Sequence, residues 1–167
     1  LALLKQYNLD GVNLGFSNDD KEVIKRKIND ALESDIDILL TTGGVSVGKY
    51  DFLKDVFEEL GVQRKFWRAY IKPGKPIYFG IIEKNGKTKL VFGLAGNPVS
   101  SFVNIYAFII PALEEFYKIS FNNRLYVKAE SIFKKKDSKR HFVRGNFRLS
   151  AENKTIVYDS GKKTKIV

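Results

Sequence analysis

The chain contains no cysteine and no methionine, and it has one histidine, one tryptophan and four prolines. Without cysteine it can form neither a disulfide nor a thiolate metal site, which suits a reducing compartment. The lone histidine, His141, cannot assemble a zinc centre by itself. No uninterrupted apolar run approaches the roughly 20 residues of a membrane-crossing helix. No leader with a basic start, an apolar middle and a cleavage motif opens the chain. A cytoplasmic protein without membrane contact is therefore expected. The missing initiator methionine, and an opening "LALLKQY" that reads as the inside of a helix, lead us to expect a piece of a longer protein.

What is present describes a globular chain. Its 167 residues can bury a core, and 44% hydrophobic with 29% charged residues is ordinary globular composition. The net charge of +10 is uneven. Residues 1–118 carry 16 Lys/Arg against 15 Asp/Glu, whereas residues 119–167 carry 13 against 4. Two domains are expected on that division, 1–118 and 119–167.

Hydrophobic spacing predicts the order β-α-β-α-β-(β-β)-α for the first domain, an α/β fold with a layered, mostly parallel sheet flanked by helices. "GVNLGF" (residues 11–16) reads as a short strand. The next segment is a helix with Val23, Ile24, Ile28, Ala31 and Leu32 on one face, capped by Ser17, Asn18 or Asp19. "DILLTTGG" has the continuous apolar run of a central parallel strand. "DFLKDVFEELG" is helical, and "RKFWRAYIKPGKP" is a strand entering a turn. "IYFGIIEKNGKTKLVFGL" is a hairpin folded at Asn85-Gly86. The last segment is a long helix starting at Asn97-Pro98, with Val99, Phe102, Val103, Tyr106, Ile109, Ile110 and Leu113 as its core stripe. Ile105 and Phe108 widen that stripe, so the helix is buried nearly all round or packs on a second subunit; a homodimer is expected. Beyond residue 120, short alternating segments read as a small, incomplete all-β module.

Three glycine-bearing loops follow strands, where open α/β sheets bind ligands. In "TTGGVSVGKYD", Gly43, Gly44 and Gly48 can bring backbone N–H groups to an anion, with Thr41, Thr42 and Ser46 adding hydroxyls. In "IKPGKP", Lys72 and Lys75 flank a Pro-Gly turn at Gly74. In "GLAGNPVSS", Gly96, Asn97, Pro98 and Ser100 open a helix whose N-terminus favours phosphate. Each alone is more often a plain turn or cap; together they build an anion-lined crevice. Asp19 and Asp51, at loop-to-helix junctions, can hold hydrated magnesium beside phosphates. Neither a Walker loop nor a dinucleotide fingerprint is present. On an alternating strand Arg68, Tyr70 and Lys72 would share a face, so that both cations meet one anion.

These three motifs together resemble the MoeA/gephyrin family of molybdenum insertases over residues 1–113, and "RHFVRGNF" is similar to that family's C-terminal β-barrel domain. The resemblance implies a MogA-like, molybdopterin-binding α/β domain followed by part of that barrel. It implies insertion of molybdate into adenylylated molybdopterin with release of AMP, using Mg2+. It also implies roles. Asp51, with Asp19, matches the acidic residues of the magnesium and pyrophosphate-cleavage region. Lys72 matches the lysine of the family's "KPGKP" motif, and Arg68 stands where a basic residue is usual, so these two would hold molybdate or the terminal phosphate. Asp19, Asp51 and Lys72 are the implied catalytic set. Lys49 and Ala95 depart from the family pattern at positions that remove no obvious ligand. The family's N-terminal domains, which complete the site across a dimer, are not in this sequence.

Other readings stay open. A molybdopterin adenylyltransferase of the MogA type shares "PGKP" and "GNP", and would act upstream of an insertase; the basic tail favours the insertase. A non-catalytic molybdopterin-binding or scaffold module is a second reading. Nucleic-acid binding by "FKKKDSKRHFVR" is a third, although a lysine run is usually a solvated face.

Overall fold

A computed structural model of the chain describes residues 2–18, 20–44, 52–121, 126–129, 132–134, 137–149 and 155–159. The chain divides into two compact units, Leu1–Phe121 and Asn122–Val167. The first unit holds, in chain order, α1 (Ala2–Lys5), α2 (Lys21–Glu33), β1 (Ile38–Thr42), α3 (Leu53–Glu59), β2 (Gln63–Trp67), β3 (Ile71–Lys72), β4 (Ile77–Lys84) and β5 (Lys87–Leu94). It ends with α4 (Pro98–Asn104), a π turn (Ile105–Ile109) and α5 (Ile110–Tyr117).

The sheet is mixed, in the order β1-β5-β4-β2, with β1 parallel to β5 and the other neighbours antiparallel. The antiparallel pairs follow from the Asn85-Gly86 hairpin, where both residues take positive φ, 54° and 73°, as a tight two-residue turn requires. On one face α2 and α3 pack Leu32, Val56 and Phe57 against Leu39, Tyr78 and Val91. On the other, Ile109, Ile110 and Leu113 pack against Ile77, Leu90, Phe92 and Leu94. Each such side chain contributes about 1.5–3 kcal/mol by leaving water. The result is an α/β/α layering, with the glycine-bearing loops held by β1, β5 and the β2–β4 connection.

Several sequence expectations are corrected. The strand buried on both faces is β5, not β1: all of Lys89 to Leu94 is buried, whereas β1 ends the sheet order and buries only Leu39. The hairpin places β5 inside and leaves β1 with one strand neighbour among the described residues. Residues 11–16 form no strand; Val12 and Phe16 are exposed, so no apolar contact repays ordering them there. The cap of α2 is Asp20, whose carboxylate accepts from the N–H groups of Glu22 and Val23.

The long helix departs most. Its inner residues include Ile109, Ile110 and Leu113, but Phe102 and Tyr106 are 53% and 37% exposed, and Asn104 is fully buried instead. Pro111 has no N–H to donate to the turn before it. The helix answers with a π turn, in which Ile110 N–H donates to the carbonyl of Ile105. The extra residue rotates the first half of the stripe away from the core. By length and apolarity alone, Pro98–Tyr117 would suffice to cross a membrane. One side of it covers the sheet, as the core helix of an α/β layer does.

In the second unit the described strands are β6 (Lys128–Ala129), β7 (Arg140–His141), β8 (Gly145–Leu149) and β9 (Thr155–Asp159). A three-stranded sheet runs β6-β9-β8, with β8 antiparallel to β9. Asp137 meets His141 Nε2 at 2.7 Å, and that bond holds the Asp137 carboxyl below its ordinary range.

Candidate functional site

Strand register decides where the three glycine loops lie. Thr42, at the end of β1, stands beside Leu94, at the end of parallel β5. Leu94 faces Ile77, the first residue of β4, and Tyr78 faces Trp67, the last of β2. The chain therefore leaves β1, leaves β5 and crosses from β2 to β4 at one edge of the sheet. With strands about 4.8 Å apart, these exits span roughly 14 Å. The carboxyl ends of the strands are where open α/β sheets hold ligands.

The first and third loops touch. Gly43 N–H donates to Leu94 O at 2.9 Å, and a Cβ on Gly96 would lie 3.6 Å from Gly43 Cα. Gly43 and Gly44 both take positive φ, 88° and 65°, a left-handed backbone that glycine accepts without strain. Thr41 is half-buried and Thr42 exposed at the strand end. Ser46, Gly48 and Asp51 of this loop, and Asp19 before α2, lie outside the described residues. In the third loop Pro98 takes the first helical position and Asn97 caps α4, accepting from Val99 N–H at 3.0 Å and Ser100 N–H at 3.2 Å. Two backbone donors that the sequence offered to a phosphate are thus engaged by Asn97 itself. Gly96 is exposed and Ser100 half-buried at the same loop.

The second loop is not an alternating strand. β2 stops at Trp67, and Arg68 turns into the left-handed region at φ 71°, so Arg68 and Lys72 do not share a strand face. The guanidinium carbon of Arg68 lies 4.0 Å from the centre of the Trp67 ring, a cation–π contact. Arg68 N–H donates to Ile77 O at 2.7 Å, and Ala69 N–H to Lys75 O at 2.9 Å, closing the loop on itself. Lys72 and Lys75 are exposed, the Lys72–Pro73 peptide is cis, and Gly74 has φ 99°.

Asn104 was missed by the sequence reading. It is 0% exposed, and its Nδ2 donates to Pro76 O at 3.1 Å. A lone amide inside the apolar run "SFVNIYAFII" was the available signal. Trp67 was read only as a strand residue; its place before Arg68 gave no cue to the stack.

For magnesium, the described residues contain no group of three or more His, Cys, Asp or Glu able to hold a metal ion. The two expected carboxylate ligands both fall outside the described residues.

The family described as "Probable molybdopterin binding domain" matches residues 1–115. The chain belongs to this family. Among its relatives, the molybdopterin molybdenumtransferase of Synechocystis is 40% identical over 107 residues, which are 64% of this chain and 27% of that protein. The enzyme of the same name from Haemophilus influenzae is 39% identical over 111 residues, 66% of this chain and 26% of the other. The Dictyostelium discoideum gephyrin is 39% identical over 119 residues, 64% of this chain and 16% of its own length. The chain thus matches about a quarter of the two bacterial enzymes, 27% and 26%. Its fold is that of a molybdenum cofactor biosynthesis protein from Pyrococcus furiosus, with a TM-score of 0.68 at 22% identity over 98% of this chain and 50% of that one. The tungsten cofactor synthesizing protein MoaB of the same organism gives a TM-score of 0.52 at 18% identity, over 70% of this chain and 79% of that one. Family membership identifies residues 1–115 as a molybdopterin-binding type of domain, and the curated relatives named here are molybdenumtransferases and a gephyrin.

Proposed function

We propose that the crevice at the ends of β1 and β5 holds adenylylated molybdopterin, and that the protein carrying this chain inserts molybdate into it and releases AMP. The observation that carries this reading is the register that brings all three glycine loops to one sheet edge. Substrate and co-substrate are both anions, and the crevice offers the Gly44 backbone together with the cations of Arg68, Lys72 and Lys75, while Gly43, its N–H held by Leu94 O, allows close approach. Thr41, Thr42, Ser46, Gly48, Gly74, Gly96, Asn97, Pro98 and Ser100 complete the proposed binding set.

In this reading Lys72 and Arg68 hold molybdate or the terminal phosphate as charge develops on it. Asp51, assisted by Asp19, holds Mg2+; carboxylates suit this hard, hydrated cation. Bound magnesium would supply charge neutralisation at the phosphoanhydride. Exposed Phe102 and Tyr106 on the long helix support a homodimer. A cytoplasmic location, and a molybdopterin adenylyltransferase as supplier of the substrate, belong to the same reading.

The test is AMP release. With adenylylated molybdopterin and magnesium, release is expected to require molybdate and to fall at least a hundredfold in Asp51→Asn, on the scale of losing one electrostatic stabiliser. Release that ignores molybdate, or an Asp51→Asn variant with full turnover, contradicts the proposal.

A further inference from the structure

The helix that carries the third loop also grips the second. Asn104 lies seven residues after the cap Asn97, so both sit on one side of α4. Its Nδ2 donates to the carbonyl of Pro76, and a Cβ built on Gly74 would overlap its Oδ1. That Oδ1 has no hydrogen-bond donor among the described residues. A fully buried amide with one end unsatisfied costs about 1–3 kcal/mol against an apolar side chain of similar shape. Packing therefore does not favour asparagine here.

The local helix geometry points the same way. Asn104 is the last residue of α4, directly before the π turn of residues 105–109. That turn lets Asn104 face the second loop while Ile109, Ile110 and Leu113 still face the sheet. π turns recur where a helix places a residue for function. Gly74, at φ 99°, is the residue whose missing side chain makes room for the amide. Helix and loop are therefore matched at this contact: a side chain at 74 or a bulkier one at 104 would part them.

We propose that Asn104 is a positioning residue, which fixes the loop bearing Lys72 and Lys75 to the helix behind the third loop and so sets where those cations meet the anionic substrate. It touches no substrate itself. The inference rests on the reading of this loop as part of the adenylylated molybdopterin site.

The experiment is a double-mutant cycle on binding of adenylylated molybdopterin in the presence of magnesium. The proteins are the chain, Asn104→Ala, Lys72→Ala and the double variant, each shown folded by circular dichroism at the titration temperature. Lys72→Ala and Asn104→Ala are each expected to weaken binding about tenfold, within what small misplacements cost. The double variant is expected to be scarcely weaker than Lys72→Ala, because misplacing an absent cation loses nothing. Asn104→Ser, which keeps a donor for the Pro76 carbonyl, should recover part of the loss and replaces Asn104→Ala in the cycle if that variant does not fold. Fold-losses that simply multiply in the double variant, or unaltered binding by folded Asn104 variants, overturn the positioning role while leaving the site reading intact. Unaltered binding by Lys72→Ala overturns both.

Discussion

Gly43 and Gly96 stand against each other, with the Cα of one 3.6 Å from where a side chain on the other would begin. That contact joins the loop after β1 to the loop after β5, and the parallel pairing of those strands enforces it.

The neighbouring glycines give an ordered stability prediction. Gly43 has φ 88° with nothing near a built Cβ, so Gly43→Ala costs only the left-handed backbone, about 1–2 kcal/mol. Gly44 has φ 65° and a built Cβ only 3.0 Å from Leu53, so Gly44→Ala adds a collision with the α3 core to the same backbone cost. Urea denaturation should rank Gly44→Ala below Gly43→Ala. The reverse order would mean that this turn is built differently.

Arg68 sets stability against function. A non-glycine residue at φ 71° is held there against its preference, and a site that needs its guanidinium is a reason to keep it. Arg68→Gly should relieve the backbone while losing the stack on Trp67, leaving stability within about 1 kcal/mol of the parent. Its affinity for adenylylated molybdopterin should nevertheless fall. Thermal melts and a binding titration check the two halves separately; retained affinity would remove Arg68 from the site.

Much of this was legible beforehand. Asn85-Gly86 specified its hairpin because only a few residue pairs accept two positive φ values in succession. The glycine motifs pointed to one end of the sheet because each follows a strand, and the register brings those strand ends together. What escaped depended on relations across the chain. "DILLTTGG" and "KLVFGL" carry the same apolar signal, and only the sheet order makes β5 the inner strand. Helical periodicity ran through Pro111 as if the turn were regular, so Asn104 was hidden and Phe102 was assigned to the core. Arg68 was placed by alternation, which ends where its φ changes sign.

Alkaline stability should track Tyr117. Its hydroxyl donates to Asp37 at 2.8 Å, and burial followed by that carboxylate pushes its pKa up to about 12, from an ordinary 10.0. The folded state then holds this proton more tightly than the unfolded one. The contribution is complete below pH 10 and is lost as pH rises to about 12. Burial raises Tyr78 similarly, to about 12. Glu59 runs the other way: Lys21 and Lys25 hold it at about 2, so its small, solvent-screened contribution is present above pH 4.5 and fades towards pH 2. Melting temperatures should be flat between these windows, and Tyr117→Phe should soften the alkaline fall. An unchanged alkaline slope would show that the Tyr117–Asp37 bond is not made in solution.

The central claim is that the three loops form one anion site, and direct binding tests it best. Trp67 is the only tryptophan in the sequence and lies under Arg68, so its fluorescence reports on the second loop. Adenylylated molybdopterin, titrated with magnesium, should change that fluorescence saturably, with calorimetry giving one site per chain and Lys72→Ala about tenfold weaker. A folded chain that does not bind, or one whose binding ignores Lys72→Ala, would contradict the account.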